Sequence, residues 1–404
     1  MSEQELNGEH LEKLPIHKGL VNVVVDETTI CSVDGIKATL YYRGYPIKEL
    51  MEKSTFEEVA FLLLFGYLPR LFELESFKKE LVRERDIPDR ILMLLKSFPR
   101  NTTRIELLRT AISALSLYDP DDYDYSKQAN LRKGIRIIAK MPTILAFSHR
   151  IQSNLPIVEA EKEGKLSHAG NFYYMVTERK PTPEIESAFD KLLICQAEHD
   201  LNASTFAARV TVSTLSDIYS GIVSAIGALR GPLHGGANER VILYVLNEIK
   251  TKDNALPWVK KKLENKEKII GFGHRVYKGW DPRALILREY ARKFYEMRKN
   301  GLLKDEIISQ PGEQYNEEVF PIIEELAEFM IKTKNIYPNV DLYSACLLYE
   351  LGVPPPLYTP LFAVSRCVGW ITHAIEQLEN NKLLRPRLLY KGELDKKYIE
   401  INKR

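Results

Sequence analysis

The sequence predicts a nearly all-α, mainly helical protein of two domains with one small β-hairpin near its N-terminus. Three observations predict this. Apolar residues recur at three- and four-residue intervals through most of the chain after Ile47. Pro69, Pro88, Pro99, Pro120 and Pro156 fall between those periodic blocks, where a proline interrupts no interior hydrogen bond. The 404 residues exceed what one ordinary core holds, so two domains sharing a cleft are expected.

Taken in order, Leu20 to Tyr45 mixes β-branched and polar residues around turn signals at Asp26-Glu27 and Asp34-Gly35, which favours the hairpin. Helical spacing then runs through Phe56 to Phe65, Leu74 to Arg85, Asp89 to Ser97, Arg104 to Leu117 and Ser126 to Ser148. A further helix covers Tyr173 to Val176, and Pro181-Thr182-Pro183-Glu184 reads as the start of one running through Phe189 and Leu193 towards His199. Between Thr214 and Leu229 the small residues Ser220, Gly221, Ser224, Ala225, Gly227 and Ala228 suit tight helix packing, within a subunit or between subunits. Ala284 to Tyr337 is helical in pattern but charged, as an exposed, peripheral segment would be. The charged tail after Tyr390 suits a frayed terminus or an arm lying on a partner.

With 45% apolar and 28% charged residues the composition is globular. Fifty-seven basic residues against 55 acidic ones leave a formal charge of +2, so no broad field for nucleic acid or an anionic membrane is expected, and any anion site is local. Met1 to Pro15 carries no signal-peptide pattern, and the longest apolar stretch, Val59 to Leu68, is too short to span a membrane. The scattered cysteines Cys31, Cys195, Cys346 and Cys367 show no CxxC spacing and read as reduced thiols of a cytoplasmic protein.

Three histidine segments carry candidate chemistry: Ala197 to Thr205 around His199, Gly231 to Glu239 around His234, and Gly271 to Tyr277 around His274. Glycines beside His234 and His274 permit close ligand approach, although a Gly-His pair alone also fits a tight turn. No HExxH or short His-x-His spacing is present, so no metal is expected. Gly271-Phe272-Gly273 lacks both the Lys-Ser/Thr of a P-loop and the third glycine of a dinucleotide fingerprint. Arg283, Arg366, Arg385 and Arg387 could clamp carboxylates through paired, charge-assisted hydrogen bonds. Arg366 lies in an apolar helical stretch, where a structural salt bridge is the alternative, and Arg385 and Arg387 would also suit a solvated loop. Asp341, in Asn339-Val340-Asp341, is a candidate base or simply a helix N-cap.

In this order, together with Gly19-Leu20, Val33-Asp34-Gly35, Tyr42-Arg43-Gly44-Tyr45 and Arg385-Pro386-Arg387, the segments resemble the citrate synthase family over almost the whole chain. The resemblance implies a large helical domain from residues 1–232 and 346–404, a small helical domain from 233–345, a cleft between them, and a homodimer. It implies acetyl-CoA and oxaloacetate as substrates and no cofactor, the coenzyme A thioester being consumed. By the same resemblance His234 contacts the thioester carbonyl, Asp341 takes the acyl α-proton, and His274 polarises the ketone. His199, Arg283, Arg366 and Arg385 hold oxaloacetate or citrate, with Arg385 reaching the partner subunit's site. Lys268, Ile269, Ile270, Gly271, Phe272 and Gly273 form the loop against which coenzyme A lies, and Lys278 is a phosphate contact.

Charged sequence around Arg292 to Glu317 lengthens the inserted part relative to compact members of the family. Glu198 to Thr205 and Ser216 to Ser220 also resemble 2-methylcitrate synthases, which accept propionyl-CoA, and one methylene is worth only about 1–3 kcal/mol in a pocket. A non-catalytic coenzyme A or carboxylate sensor is the remaining rival, and the presence of His234, His274 and Asp341 argues against it.

Overall fold

The structure, a computed structural model, describes residues 15–21, 23–303 and 315–404. Its β-structure is a three-stranded antiparallel sheet in the order β1 (Cys31–Asp34), β2 (Thr39–Tyr42), β3 (Tyr45–Pro46), with Val33 opposite Leu40 and Tyr42 opposite Tyr45. The turn at Asp34 forms because its Oδ1 accepts from the backbone N–H groups of Ile36 and Lys37, each at 2.9 Å. The stretch around Asp26-Glu27 is no strand: Val24 is 89% exposed, and Asp26 instead pairs with Arg209 at 2.8 Å. A β-branched run without a partner strand has nowhere to place its backbone hydrogen bonds.

Helices then follow one another, many of them started by a side-chain cap. α1 (Ile47–Lys53) and α2 (Phe56–Phe65) are separated by Ser54-Thr55, and Thr55 caps α2 by accepting from Glu58 N. α3 (Leu71–Arg83) begins three residues before the apolar spacing marks it, because Glu73 reaches back to Arg70 N at 2.8 Å. α4 (Asp89–Ser97), α5 (Arg104–Leu115) and the 26-residue α6 (Lys127–Gln152) match the sequence reading closely, except that the chain tightens to a 3₁₀ turn after Leu115. α7 (His168–Thr177) precedes α8 (Pro183–Gln196), which Thr182 caps with Pro183 in its first turn and which stops short of His199.

α9 (Ala203–Ser213) is capped by Asn202 and α10 (Ile218–Leu229) by Asp217. These two helices lie close: a Cβ on Gly221 would come within 2.8 Å of Val212 Cγ1, whereas one on Gly227 would meet nothing within 4 Å. The small residues therefore serve packing within the subunit on one side of α10 and leave its other side open. α11 (Ala237–Tyr244) leads through a π turn to α12 (Lys252–Glu264), and after a long loop come α13 (Pro282–Lys299), α14 (Val319–Lys334) and α15 (Val340–Glu350). Arg288 pairs in fork fashion with Glu324, tying α13 to α14 across their exposed side. Their other sides are apolar, burying Leu287, Ala291 and Phe294 of α13 and Ile322, Ile323 and Leu326 of α14, so this charged stretch is peripheral on one side only.

α16 (Tyr358–Glu379) is buried without a break from Tyr358 to Ile375, and a helix apolar on every side has to sit in the core. It packs against α6, α8, α9, α10 and α11, and so places Arg366 in the interior. Beyond it the tail is largely exposed, with Leu388 at 94%, and residues 1–14 and 304–314, including part of the charged insertion, lie outside the described residues. All four cysteines are free and buried. No described helix is long and apolar enough to cross a membrane.

Candidate active site

One cleft of about 330 Å³ gathers His199, His234, His274, Arg283, Asp341 and Arg366, residues up to 167 positions apart in sequence. Each arrives on a different element. His199 lies in the turn between α8 and α9, His234 in the loop before α11, and His274 in the loop before α13. Arg283 sits in the first turn of α13, Asp341 in the first turn of α15, and Arg366 in the body of α16.

The loop carrying His234 is held by Gly235, where a Cβ would lie 2.4 Å from Leu229 Cδ1 and 3.0 Å from Leu229 O. Only glycine fits there, and the turn presents His234 to the cleft. Its Nε2 is 2.8 Å from Ser204 Oγ, which also accepts from the indole N–H of buried Trp370 at 3.0 Å. Burial, assisted by Arg366, pulls the His234 pKa down to about 4, so the ring is neutral at pH 7.

His274 is fixed more tightly. The backbone N–H groups of Val276 and Tyr277 both donate to its Nδ1, at 3.0 and 3.1 Å. A nitrogen accepting two hydrogen bonds carries no proton, so in the neutral ring the proton is on Nε2. Neutrality again follows from burial and Arg283, which lower the pKa to about 4 against the opposing influence of Asp281. His199 stands edge-on to His274 with ring centroids 5.1 Å apart, its Nε2 is 3.2 Å from Tyr277 Oη, and burial pushes its pKa well down. The loop is braced from outside: Gly35 O accepts from Lys278 N at 3.1 Å, so the N-terminal hairpin supports it.

Asp341 is not the N-cap that its place in the sequence also allowed. Asn339 is the cap, accepting from Asp341 N at 3.0 Å, while Asn339 Nδ2 donates to Gly273 O. Gly273 N also donates to Tyr337 O and Asn339 N to Gly271 O, which zips the His274 loop to the start of α15 and brings Asp341 and His274 to the same cleft. Burial raises the Asp341 pKa to about 7; Arg283 and Arg366 oppose the rise and Asp281 adds to it. A carboxylate so perturbed in a cleft is a candidate general base.

The two arginines are held differently. Arg283, 2% exposed, makes a two-point pair with Asp281 through Nε (3.0 Å) and Nη2 (2.7 Å), leaving Nη1 uncommitted to that pair. Arg366 makes no carboxylate salt bridge among the described residues, contrary to the structural alternative; its Nε donates to Gln196 O at 2.5 Å and its guanidinium lies over the Phe362 ring at 4.8 Å. A buried arginine that lines a cleft without a salt-bridge partner suits an incoming carboxylate.

Arg385 is not brought to this cleft: it lies on the exposed tail. Of Lys268 to Gly273, only Gly273 borders the cleft, while Lys268 and Ile270 line a neighbouring groove with Tyr244 and Trp258; Ile269 and Gly271 are buried and Lys278 is exposed. Gly271 takes φ +90° with Leu342 and Val241 against it, a place for glycine alone. Sequence reasoning gave no role to Ser204, Trp370, Asp281, Tyr277 or Asn339. Only the cap chemistry of Asn339 and the Asp-Pro helix start at Asp281 carried a local signal. Among the described residues no three His, Cys, Asp or Glu side chains come together as a metal site requires.

Comparison with known proteins adds to this geometry. The family model for the citrate synthase C-terminal domain matches residues 19–387. The chain is 44% identical over 388 residues to citrate synthase 2 of Bacillus subtilis, covering 96% of this chain and 99% of that protein. It is 39% identical over 383 residues to the citrate/2-methylcitrate synthase of the same organism, covering 94% of this chain and 98% of that one. The solved ternary complex of carboxymethyl coenzyme A and oxaloacetate with citrate synthase from Thermoplasma acidophilum matches with a TM-score of 0.88 at 34% identity, over 96% of this chain and all of that chain.

Proposed function

The chain belongs to the citrate synthase family, and we propose that it condenses acetyl-CoA with oxaloacetate and hydrolyses the adduct to citrate and coenzyme A. One observation carries this reading: a carboxyl group with its pKa raised to about 7 shares a cleft with three neutral histidines and two buried arginines.

Oxaloacetate is a dianion with a ketone. Arg283 and Arg366 receive its carboxylates and His199 helps seat it, placing the ketone oxygen against the Nε2–H of His274. Asp341, opposite, takes a proton from the acyl α-carbon. The developing enolate oxygen meets Nδ1 of His234, the ring nitrogen not held by Ser204; donating from Nδ1 requires the Ser204 hydroxyl to turn its proton onto Nε2. The enol carbon attacks the ketone carbon, His274 stabilises the alkoxide, and water cleaves the thioester to release coenzyme A. A neutral donor aimed at the developing charge in a water-poor cleft is worth far more than in water. No cofactor takes part in this scheme.

The contributing groups divide between residues 233–345 and the flanking 1–232 and 346–404, and we assign these as a small and a large domain that close on oxaloacetate before the thioester reacts. The Lys268 to Gly273 loop and Lys278 are proposed to hold coenzyme A. The open side of α10 and the exposed tail with Arg385 support a homodimer in which Arg385 completes the partner subunit's cleft. Buried free thiols support a cytoplasmic location, where the reaction would feed the tricarboxylic acid cycle. Propionyl-CoA is the second reading, supported by the relative named citrate/2-methylcitrate synthase.

The test is release of coenzyme A thiol from acetyl-CoA and from propionyl-CoA, with and without oxaloacetate, for wild type and Asp341→Asn. Oxaloacetate-dependent release that the variant loses is the expected result, and the ratio of the two rates names the acyl donor. No release from either thioester overturns the reading in favour of a non-catalytic sensor.

A further inference from the structure

Glu198 is a carboxylate with 0% exposure that takes no part in the scheme above. It is stitched to the helix that carries Arg366. Along that helix Arg366 Nε donates to Gln196 O, Gly369 N donates to Ala197 O at 3.2 Å, and His373 Nε2 lies 3.1 Å from Glu198 Oε1. The other oxygen, Oε2, lies 2.1 Å from where a Cβ on Gly369 would be and has no hydrogen-bond partner. Arg366 and Gly369 are three residues apart and His373 four further on, so all three share one side of α16, with Glu198 lying over it.

The tautomer of His373 follows from its other neighbour. Arg209 Nη1 is 3.2 Å from His373 Nδ1, and a guanidinium can only donate, so Nδ1 accepts and the proton on Nε2 goes to Glu198. Arg209 is itself held by Asp26 and Glu376, at 2.8 and 2.9 Å. Glu198 is thus kept in place by the His373 Nε2–H, with its other oxygen bare against Gly369, one helical turn along α16 from Arg366.

We propose that Glu198, held by His373, is an affinity-setting residue: it is the resident counter-charge of Arg366 and weakens the binding of the oxaloacetate carboxylate there. This rests on the synthase reading of the cleft. Electrostatics supports it, since Glu198 is the foremost favourable charge acting on Arg366. A buried guanidinium without a counter-charge is costly, so Glu198 lets the empty cleft keep Arg366 in place. The same negative charge repels an arriving dianion, which lets the carboxylate product leave after each turnover.

The experiment compares oxaloacetate binding to wild type, Glu198→Gln and Glu198→Asp by calorimetry, with steady-state KM values for both substrates. Glutamine keeps the shape and the acceptor for His373 but removes the charge. At an effective dielectric near 20, a unit charge within about 10 Å is worth about tenfold or more in binding. Glu198→Gln is therefore expected to lower the oxaloacetate Kd and KM about tenfold or more, leave the acyl-CoA KM within about twofold, and lower the stability of the ligand-free protein. Glu198→Asp, which draws the charge back by one methylene, is expected to show a smaller gain and covers the case in which the glutamine variant does not fold. Unchanged or weaker oxaloacetate binding in the folded variants overturns the proposal, as does an equal shift in both KM values. Failure of wild type to bind oxaloacetate overturns the synthase reading instead.

Discussion

Asp341→Asn is expected to abolish the condensation and, at alkaline pH, to make the protein more stable. Burial holds the Asp341 pKa at about 7 instead of its ordinary 3.8. Between those values the folded state keeps the proton while the unfolded chain has lost it, so unfolding releases a proton and stability falls as pH rises. The loss is complete once pH passes the folded pKa. A rise of roughly three units at 1.36 kcal/mol each sets it at about 4 kcal/mol. Asparagine has no charge to bury, so the gap between variant and wild type should be absent near pH 4, open through pH 5 to 7, and be fully developed at pH 8. Urea unfolding at fixed protein concentration, at pH 5 and pH 8, measures it. The wild-type kcat/KM for acyl-CoA should rise across the same window and level off above pH 7, as a base that must lose its proton requires. A variant no more stable than wild type at pH 8, or a rate flat from pH 5.5 to 8, would refute the reasoning that Asp341 is a desolvated base.

Three further substitutions test neighbouring parts of the argument. His234→Ala should lower kcat about a hundredfold or more, since a preorganised donor to a developing oxyanion contributes about 3–4 kcal/mol; steady-state assays of coenzyme A release check this. Asp281→Asn leaves Arg283 buried without its counter-charge and should cost about 3–5 kcal/mol of stability, read from the urea midpoint. Gly369→Ala drives a methyl to 2.1 Å from Glu198 Oε2 and 2.5 Å from Ala197 O; the backbone oxygen cannot step aside, so a loss of about 1–3 kcal/mol should appear as a lowered Tm. A Tm equal to wild type would show that the 196–198 segment does not pack against α16 as described.

Local chemistry was readable wherever one residue type settles the conformation. Thr55, Ser126 and Thr182 cap helices that the sequence pattern already outlines. The stretch before Cys31 was misleading, because β-branched residues show that a strand would be tolerated and cannot show that a partner strand is present. Asp341 was ambiguous for a similar reason. A carboxylate near a helix start is normally a cap, and only the position of Asn339 two residues earlier removes that job from it.

The sequence by itself determined the helical fold, the order of the helices, and the residues able to do acid-base and carboxylate-binding chemistry, because propensity, capping and residue type act over a few neighbouring positions. Tertiary structure decided what those residues become. It placed His199, His234, His274 and Asp341 on one cleft, emptied the Nδ1 of His274 by aiming two backbone N–H groups at it, raised Asp341 by burial, and left Glu198 half bare against the helix that carries Arg366. Burial, field and hydrogen-bond direction depend on atoms that segments far apart in the chain bring together, and no local reading of either segment contains them.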